Sequence, residues 1–203
     1  MEIDYSKLSN KKGIIVFGSS RSGTHHLGYG LYEKCDIKNK RYVGEIYHLD
    51  VDTANIMKDF RDLQKIQSFT FSQITHYISK NMLVQHINEI KNDYYLINIR
   101  RKNKIEQYRS WCMARLTWKY KASHSIDWSL IEKDLPLTIT NKDIDDFIIQ
   151  QNADYIWPAD EIVFYEDIKL DSRYKKNIYK ENFNELFVNP ELIFERLSNF
   201  NYV

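Results

Sequence analysis

The sequence predicts an α/β fold: a P-loop-type, three-layer domain with a central, mostly parallel sheet flanked by helices. Three observations lead there. A short continuous apolar run, GIIVFG (13–18), feeds a glycine-bracketed loop and then a helical stretch. A second apolar run, DYYLINIRR (93–101), ends in two arginines and is followed by a long helical pattern. Strand-like and helical segments alternate along the chain, which builds an open parallel sheet whose ligands lie at its carboxyl edge.

Taken in order, GIIVFG lacks the alternation of a half-exposed strand, so it is expected to be covered on both faces. A helix is expected from about His25 to Lys34. TANIMKDFRDLQKI (53–66) sets Ile56, Phe60 and Leu63 at helical spacing, and NMLVQHINEIKN (81–92) does the same with Leu83, Ile87 and Ile90. Both predict amphipathic helices. DYYLINIRR is the second buried strand. KIEQYRSWCMARLTWKYK (104–121) is a long helix with Ile105, Tyr108, Cys112 and Leu116 on one face, so a strand delivers Arg100 and Arg101 to a helix N-terminus. NKDIDDFIIQQNADYI (141–156) is a further helix, and EIVFYEDI (161–168) a third strand. No repeat or low-complexity linker interrupts the pattern, and three prolines and six glycines leave little room for a hinge.

Bulk properties remove options. A chain of 203 residues suits one domain spanning 1–203. With a formal net charge of +1 there is no global basic field for nucleic acid or an anionic membrane, so any anion site is a local cluster. The opening MEIDYSKLSNKKG has no apolar signal region, and no stretch approaches the roughly 18 apolar residues of a membrane span. A soluble, cytoplasmic protein is expected. Cys35 and Cys112 suit reduced thiols, with a disulfide left open. No CxxC or Cys/His spacing appears, so no metal is expected.

The loop in IIVFGSSRSGTHHL (14–27) has the Gly18-to-Gly23 spacing of a Walker phosphate loop. Thr24 and His25 stand where that motif has Lys and Ser/Thr. Backbone N–H groups between the two glycines, followed by a helix N-terminus, form a concave nest for a phosphate or sulfate. Without the Walker Lys and the Mg²⁺-holding hydroxyl, a kinase-like use is weakened. Arg21, inside the loop, offers an always ionised fork to an anionic leaving group, which suits a reaction that needs no metal. A plain strand, turn and helix with incidental glycines stays open.

In INIRRKNKIEQYRSW, Arg101 closes a strand and Ser110 follows nine residues later on the helix. A guanidinium reaching over the helix start and a hydroxyl from its second turn can converge on one anion. Taken alone, the same two residues also suit a surface cation and a solvated helix hydroxyl.

Together the two segments resemble the sulfotransferases that use 3′-phosphoadenosine-5′-phosphosulfate (PAPS). SSRSGTHHL is similar to the loop that binds the 5′-phosphosulfate, and RRKNKIEQYRSWCMA to the 3′-phosphate segment, in which a strand-end Arg is followed nine residues later by a Ser. The second match is closest to the bacterial trehalose-sulfotransferase-like branch, whose helix also carries residues like Gln107, Ala114 and Trp118. VFYEDI falls where the wider superfamily tends to have a Tyr-Glu-Asp strand. The anchored similarity covers about a quarter of the chain.

The resemblance implies a PAPS-dependent sulfotransferase, with 3′-phosphoadenosine 5′-phosphate (PAP) as product and no metal required. Ser20, Arg21, Ser22, Gly23, Thr24 and His25 would hold the 5′-phosphosulfate, Arg21 stabilising charge on the leaving phosphate. Arg101 and Ser110 would hold the 3′-phosphate. SRYKKNIYKENF (172–183) faintly resembles the loop that closes over the nucleotide, adding Lys175 and Lys176. An in-line attack needs a base within about 3 Å of the acceptor hydroxyl. Glu45 and His48 in RYVGEIYHL are the candidates, with His76 in SQITHYI behind them; the bacterial branch supplies a Glu in this region, which favours Glu45. Partial burial would raise the pKa of such a base.

Other features are expected to be structural. Neighbouring side chains on a helix diverge by about 100°, so His25 and His26 cannot share a metal. Asp143, Asp145 and Asp146 complement a helix dipole. Trp111 and Trp118 belong to a core. Lys102 stands where relatives commonly have Pro or Asp, and His25 replaces a hydroxyl residue. The resemblance implies an acceptor hydroxyl and leaves its bearer open among a sugar, a lipid, a tyrosine and a small alcohol. The rival readings are a P-loop nucleotide kinase, which predicts Mg²⁺-dependent ATP binding, and a non-catalytic protein with a decayed sulfotransferase fold, which predicts little binding of PAP.

Overall fold

The structure, a computed structural model, describes residues 5–45, 65–75, 88–119, 121–122, 125–126, 128–152, 158–168, 183–198 and 200. In chain order the elements are β1 (Gly13–Gly18), α1 (Thr24–Lys34), β2 (Lys40–Glu45), β3 (Phe69–Thr75), β4 (Tyr94–Arg100), α2 (Lys104–Lys119), β5 (Lys121–Ala122), β6 (Ser125–Ile126), α3 (Trp128–Lys133), α4 (Asn141–Asn152), β7 (Glu161–Phe164), α5 (Phe183–Leu186) and α6 (Pro190–Ser198). Short 3-10 turns span Tyr5–Leu8 and Tyr165–Asp167. These elements gather into two compact units, one drawn from Met1–Lys102 and Ala153–Tyr174, the other from Asn103–Asn152 and Lys175–Val203.

The first unit holds a five-stranded sheet in the order β2-β3-β1-β4-β7. Every pairing in it is parallel, where the sequence predicted a mostly parallel sheet. The α/β class is therefore as expected. The apolar run of β1 takes the middle, with Gly13 opposite Thr70 on one side and Tyr94 on the other. Its side chains alternate between the faces. Ile14 and Val16 pack with Leu27 and Leu31 of α1, Phe71 of β3 and Ile97 and Ile99 of β4, while Ile15 and Phe17, on the opposite face, are equally buried. Burial on both faces is what a continuous apolar strand requires.

Strand order reverses about β1: the chain runs outward to β2, returns through β3, and crosses to β4 and then β7. A crevice opens at the carboxyl ends of the strands at such a reversal. On the far side, β2 pairs with β3 through a register shift between Tyr42 and Gly44, and Gly44 has φ +77.

Observed boundaries depart modestly from the expected ones. The third strand ends at Phe164, and Tyr165–Asp167 leave it as a turn. The helix expected over 141–156 is observed as Asn141–Asn152. Strands β2 and β3 have no counterpart in the expected pattern. Most of the helix expected over 53–66, and residues 81–87 of the one expected over 81–92, lie outside the described residues.

The second unit has its own core. Tyr108, Trp111, Cys112, Met113 and Leu116 of α2 pack with Ile144 and Phe147 of α4 and with Ile193 and Leu197 of α6. Tyr108 stacks on Trp111 at 5.7 Å between centroids and meets Phe147 edge-on at 5.1 Å. The predicted face of α2 is thus the buried one, and Trp111 is core as expected. Burial pushes the Cys112 thiol up to about 12 and raises Cys35 as well; both are free cysteines. No helix among the described residues is long and apolar enough to cross a membrane.

The acidic start of α4 does more than face a dipole. The Thr140 N–H donates to Asp143 at 3.0 Å, and the Asp143 N–H donates back to the Thr140 hydroxyl at 3.3 Å, a reciprocal cap. Asp146 pairs with Lys142 at 2.7 Å, one turn away, and Asp145 with Arg196 of α6. The hydrogen bond from Thr140 holds the Asp143 carboxyl below its ordinary value of 3.8. A depressed carboxyl contributes stability above the unfolded value and loses it as pH falls through the folded one. Asp143→Ala is expected to cost about 1 kcal/mol at neutral pH. Denaturant titrations at neutral and strongly acidic pH should show that difference shrinking in acid.

Candidate anion-binding site

At the carboxyl end of β1 the chain enters Ser19–Gly23 and turns back on itself, the Ser22 N–H donating to the Ser19 carbonyl at 3.1 Å. Arg21 has φ +65 and Gly23 φ +105, both on the left-handed side. Only glycine occupies that region without strain, so Arg21 is held in a costly conformation by what surrounds it. Left-handed residues on either side of Ser22 curl the backbone, and such a curl turns amide N–H groups toward its inside. Gly23 is also the N-cap of α1 and offers no side chain to the first-turn amides. A helix start with no side-chain cap of its own is the kind of terminus at which anions bind.

Ser19, Ser20, Ser22 and Thr24 are all buried, at 0–3% exposure. The loop therefore presents its backbone and the Arg21 and His25 side chains rather than a ring of hydroxyls. The Ser22 hydroxyl is fully buried and has no hydrogen-bond partner among the described residues. It packs beside Gly18, at the end of β1.

Arg101, just beyond the end of β4, turns toward this loop. Its Nη1 lies 3.5 Å from the Arg21 carbonyl oxygen, its Nε 3.7 Å from Glu166 Oε1, and its guanidinium 4.7 Å from the centre of the Tyr165 ring. Arg101 and the glycine loop thus meet inside one compact unit. The turn that follows β7 anchors the arrangement. The Lys102 N–H donates to Glu166 at 2.9 Å, and the Lys102 ammonium to Asp167 at 2.7 Å. The Tyr165 ring also occupies the space beside Gly23 where a Cβ would stand.

His25, in the first turn of α1, meets the amide of Gln73, with Nε2 2.8 Å from the Gln73 amide nitrogen. Gln73 is fully buried on β3, and the Tyr42 hydroxyl donates to its amide oxygen at 2.9 Å. Glu45, the last residue of β2, pairs in register with Gln73. His26 faces the other way, its ring 5.7 Å from that of Tyr165, so the two histidines do diverge.

Among the remaining expected site residues, Ser110 is a half-buried residue of α2 and belongs to the second unit. His48, His76, Lys175 and Lys176 lie outside the described residues. No group of three or more His, Cys, Asp or Glu among the described residues could hold a metal ion. Sequence reasoning missed Gln73 and Tyr42, and it gave VFYEDI no role of its own. The available signal was a glutamine in FTFSQIT, where Phe69, Phe71 and Ile74 stand among polar residues, and a carboxylate pair directly after a strand.

No family model matches the chain, and no curated protein matches it. Among solved structures the chain is similar to mouse sulfotransferase SULT7A1 complexed with PAP, at 18% sequence identity and a TM-score of 0.43. The match covers 79% of this chain and 55% of that one, so the chain spans about half the length of the structure it matches.

Proposed function

We propose that the chain binds PAPS at the carboxyl edge of the sheet and transfers its sulfuryl group to an acceptor hydroxyl on a sugar, lipid, tyrosine or small alcohol. In that reaction the acceptor oxygen bonds to sulfur, the bridging bond from sulfur to the 5′-phosphate breaks, the hydroxyl proton passes to a base, and PAP leaves. One observation carries the reading: the Arg101 guanidinium lies 3.5 Å from the Arg21 carbonyl of the glycine loop. Two cationic groups on separate segments, the glycine loop and the end of β4, suit a nucleotide bearing anionic groups at two sites. The strained loop backbone and the uncapped start of α1 fit an anion at the loop.

In this reading the backbone of Ser20 to Thr24 and the side chains of Arg21 and His25 hold the 5′-phosphosulfate, Arg21 offsetting the charge that develops on the leaving phosphate. Arg101 takes the 3′-phosphate. Ser110 is assigned to that phosphate on the resemblance alone. Glu45 is the proposed base ahead of His48 and His76, because its place at the end of β2, in register with Gln73, puts it beside a residue that touches the loop histidine. The missing Walker lysine argues against the kinase reading. A cytoplasmic setting belongs to the same proposal.

Calorimetric titration with PAP, AMP and ATP, each with and without Mg²⁺, tests it. PAP is expected to bind about a hundredfold more tightly than AMP and independently of Mg²⁺, the size of one or two charge-assisted contacts. Preference for Mg²⁺–ATP would replace this reading with the kinase, and failure to bind PAP would replace it with the non-catalytic protein.

A further inference from the structure

We infer that Tyr165 and Glu166 are positioning residues that set the preference for a 3′-phosphorylated nucleotide by aiming Arg101. This inference rests on the donor reading proposed above.

An arginine side chain is long, and ordering it only when ligand arrives weakens binding. Arg101 is ordered in advance. Its guanidinium lies over the Tyr165 ring at 4.7 Å, which fixes where it rests, and Glu166 takes the Nε side at 3.7 Å. With the carboxylate beside one edge, past hydrogen-bonding distance, and the ring under one face, Nη1 lies 3.5 Å from the Arg21 carbonyl of the glycine loop. The turn doing this is itself fastened. Glu166 accepts the Lys102 N–H at 2.9 Å, Asp167 accepts the Lys102 ammonium at 2.7 Å, and the Ile168 N–H closes on the Tyr165 carbonyl at 3.2 Å. Lys102 therefore ties the turn to the end of the strand beside Arg101.

The Tyr165 ring has a second neighbour. It fills the space beside Gly23, so one ring sets both the position of the glycine loop and that of the guanidinium. The spacing between the two anion-binding groups is thus referred to a single rigid side chain. Recognition of a nucleotide through two phosphates depends on that spacing, whereas recognition of a monophosphate at the loop does not.

The test compares the affinities of PAP and AMP by calorimetry for the wild-type chain and for Tyr165→Phe, Tyr165→Leu and Glu166→Gln, with thermal unfolding as the folding control. Phenylalanine keeps the ring face, so the PAP-to-AMP preference is expected to stay within about threefold of wild type. Leucine removes it, and the preference should fall by about tenfold, in line with the worth of a desolvated cation–π contact. Glu166→Gln should lower it by about threefold or more. A purely structural role would weaken both ligands alike and leave their ratio unchanged in all three variants; that result overturns the inference. If leucine leaves no folded protein, Tyr165→Met and Glu166→Gln decide by the same ratio. A wild-type chain that does not prefer PAP over AMP overturns the donor reading itself, which distinguishes the two failures.

Discussion

Arg101→Ala is expected to remove most of the preference for PAP over AMP, a loss of about 10- to 100-fold in PAP affinity with AMP binding little changed. The magnitude is that of a charge-assisted, partly desolvated contact to a phosphate. The geometry sharpens the prediction. The Arg101 side chain is only 16% exposed and is braced by Tyr165 and Glu166, so water replaces it poorly. Arg101→Lys should recover little, because an ammonium supplies one point of charge and lacks the planar fork that lies over the ring. Equal weakening of PAP and AMP would place Arg101 at the loop phosphate instead, and no change would take it out of the site.

Gly23→Ala should have the largest effect on the folded state. At φ +105 an alanine is strained wherever its side chain points, and here the added methyl runs into the Tyr165 ring. Left-handed strain and overpacking each cost about 1–3 kcal/mol, so a combined loss of about 2–5 kcal/mol is expected, together with loss of nucleotide binding. Thermal unfolding checks the first and calorimetry the second. The double variant Gly23→Ala, Tyr165→Leu should recover part of the stability, because it relieves the overlap and leaves the backbone strain. Recovery of nothing would mean that the conformation at Gly23, and not the ring beside it, sets the requirement for glycine.

Legibility in the sequence followed the strength of the local signal. GIIVFG and DYYLINIRR were readable because a strand buried on both faces needs uninterrupted apolar residues, and few other structures do. The α2 face was readable because Tyr108, Cys112 and Leu116 recur at helical spacing. Strand β3 escaped because Thr70, Ser72 and Gln73 are polar yet almost wholly buried, so hydropathy gave the wrong impression of their place. Strand β2 escaped because its pairing shifts register midway, which breaks the period-two pattern on which strand recognition depends.

The site divides along the same line. The glycine loop and Arg101 were legible because glycine spacing and a charged strand end are local features. The link from Tyr42 through Gln73 to His25 was not, since it joins residues 31 and 48 positions apart that meet only once the sheet has formed. The support for Arg101 from Tyr165 and Glu166 was hidden for the same reason: two strands must lie side by side before the turn after one can brace the end of the other. A single sequence carries no record of such meetings.

The irregularly paired β2 has a neighbour on one side alone among the described strands. Among the described strands it forms an outer margin of the sheet, where unpaired amides and carbonyls would recruit a stray strand from another chain. The kink at Tyr42–Gly44 bends that margin out of a flat template, and the charged Lys40 and Arg41 stand at its beginning. Straightening it, for example by deleting Val43, is expected to raise self-association, which light scattering would read.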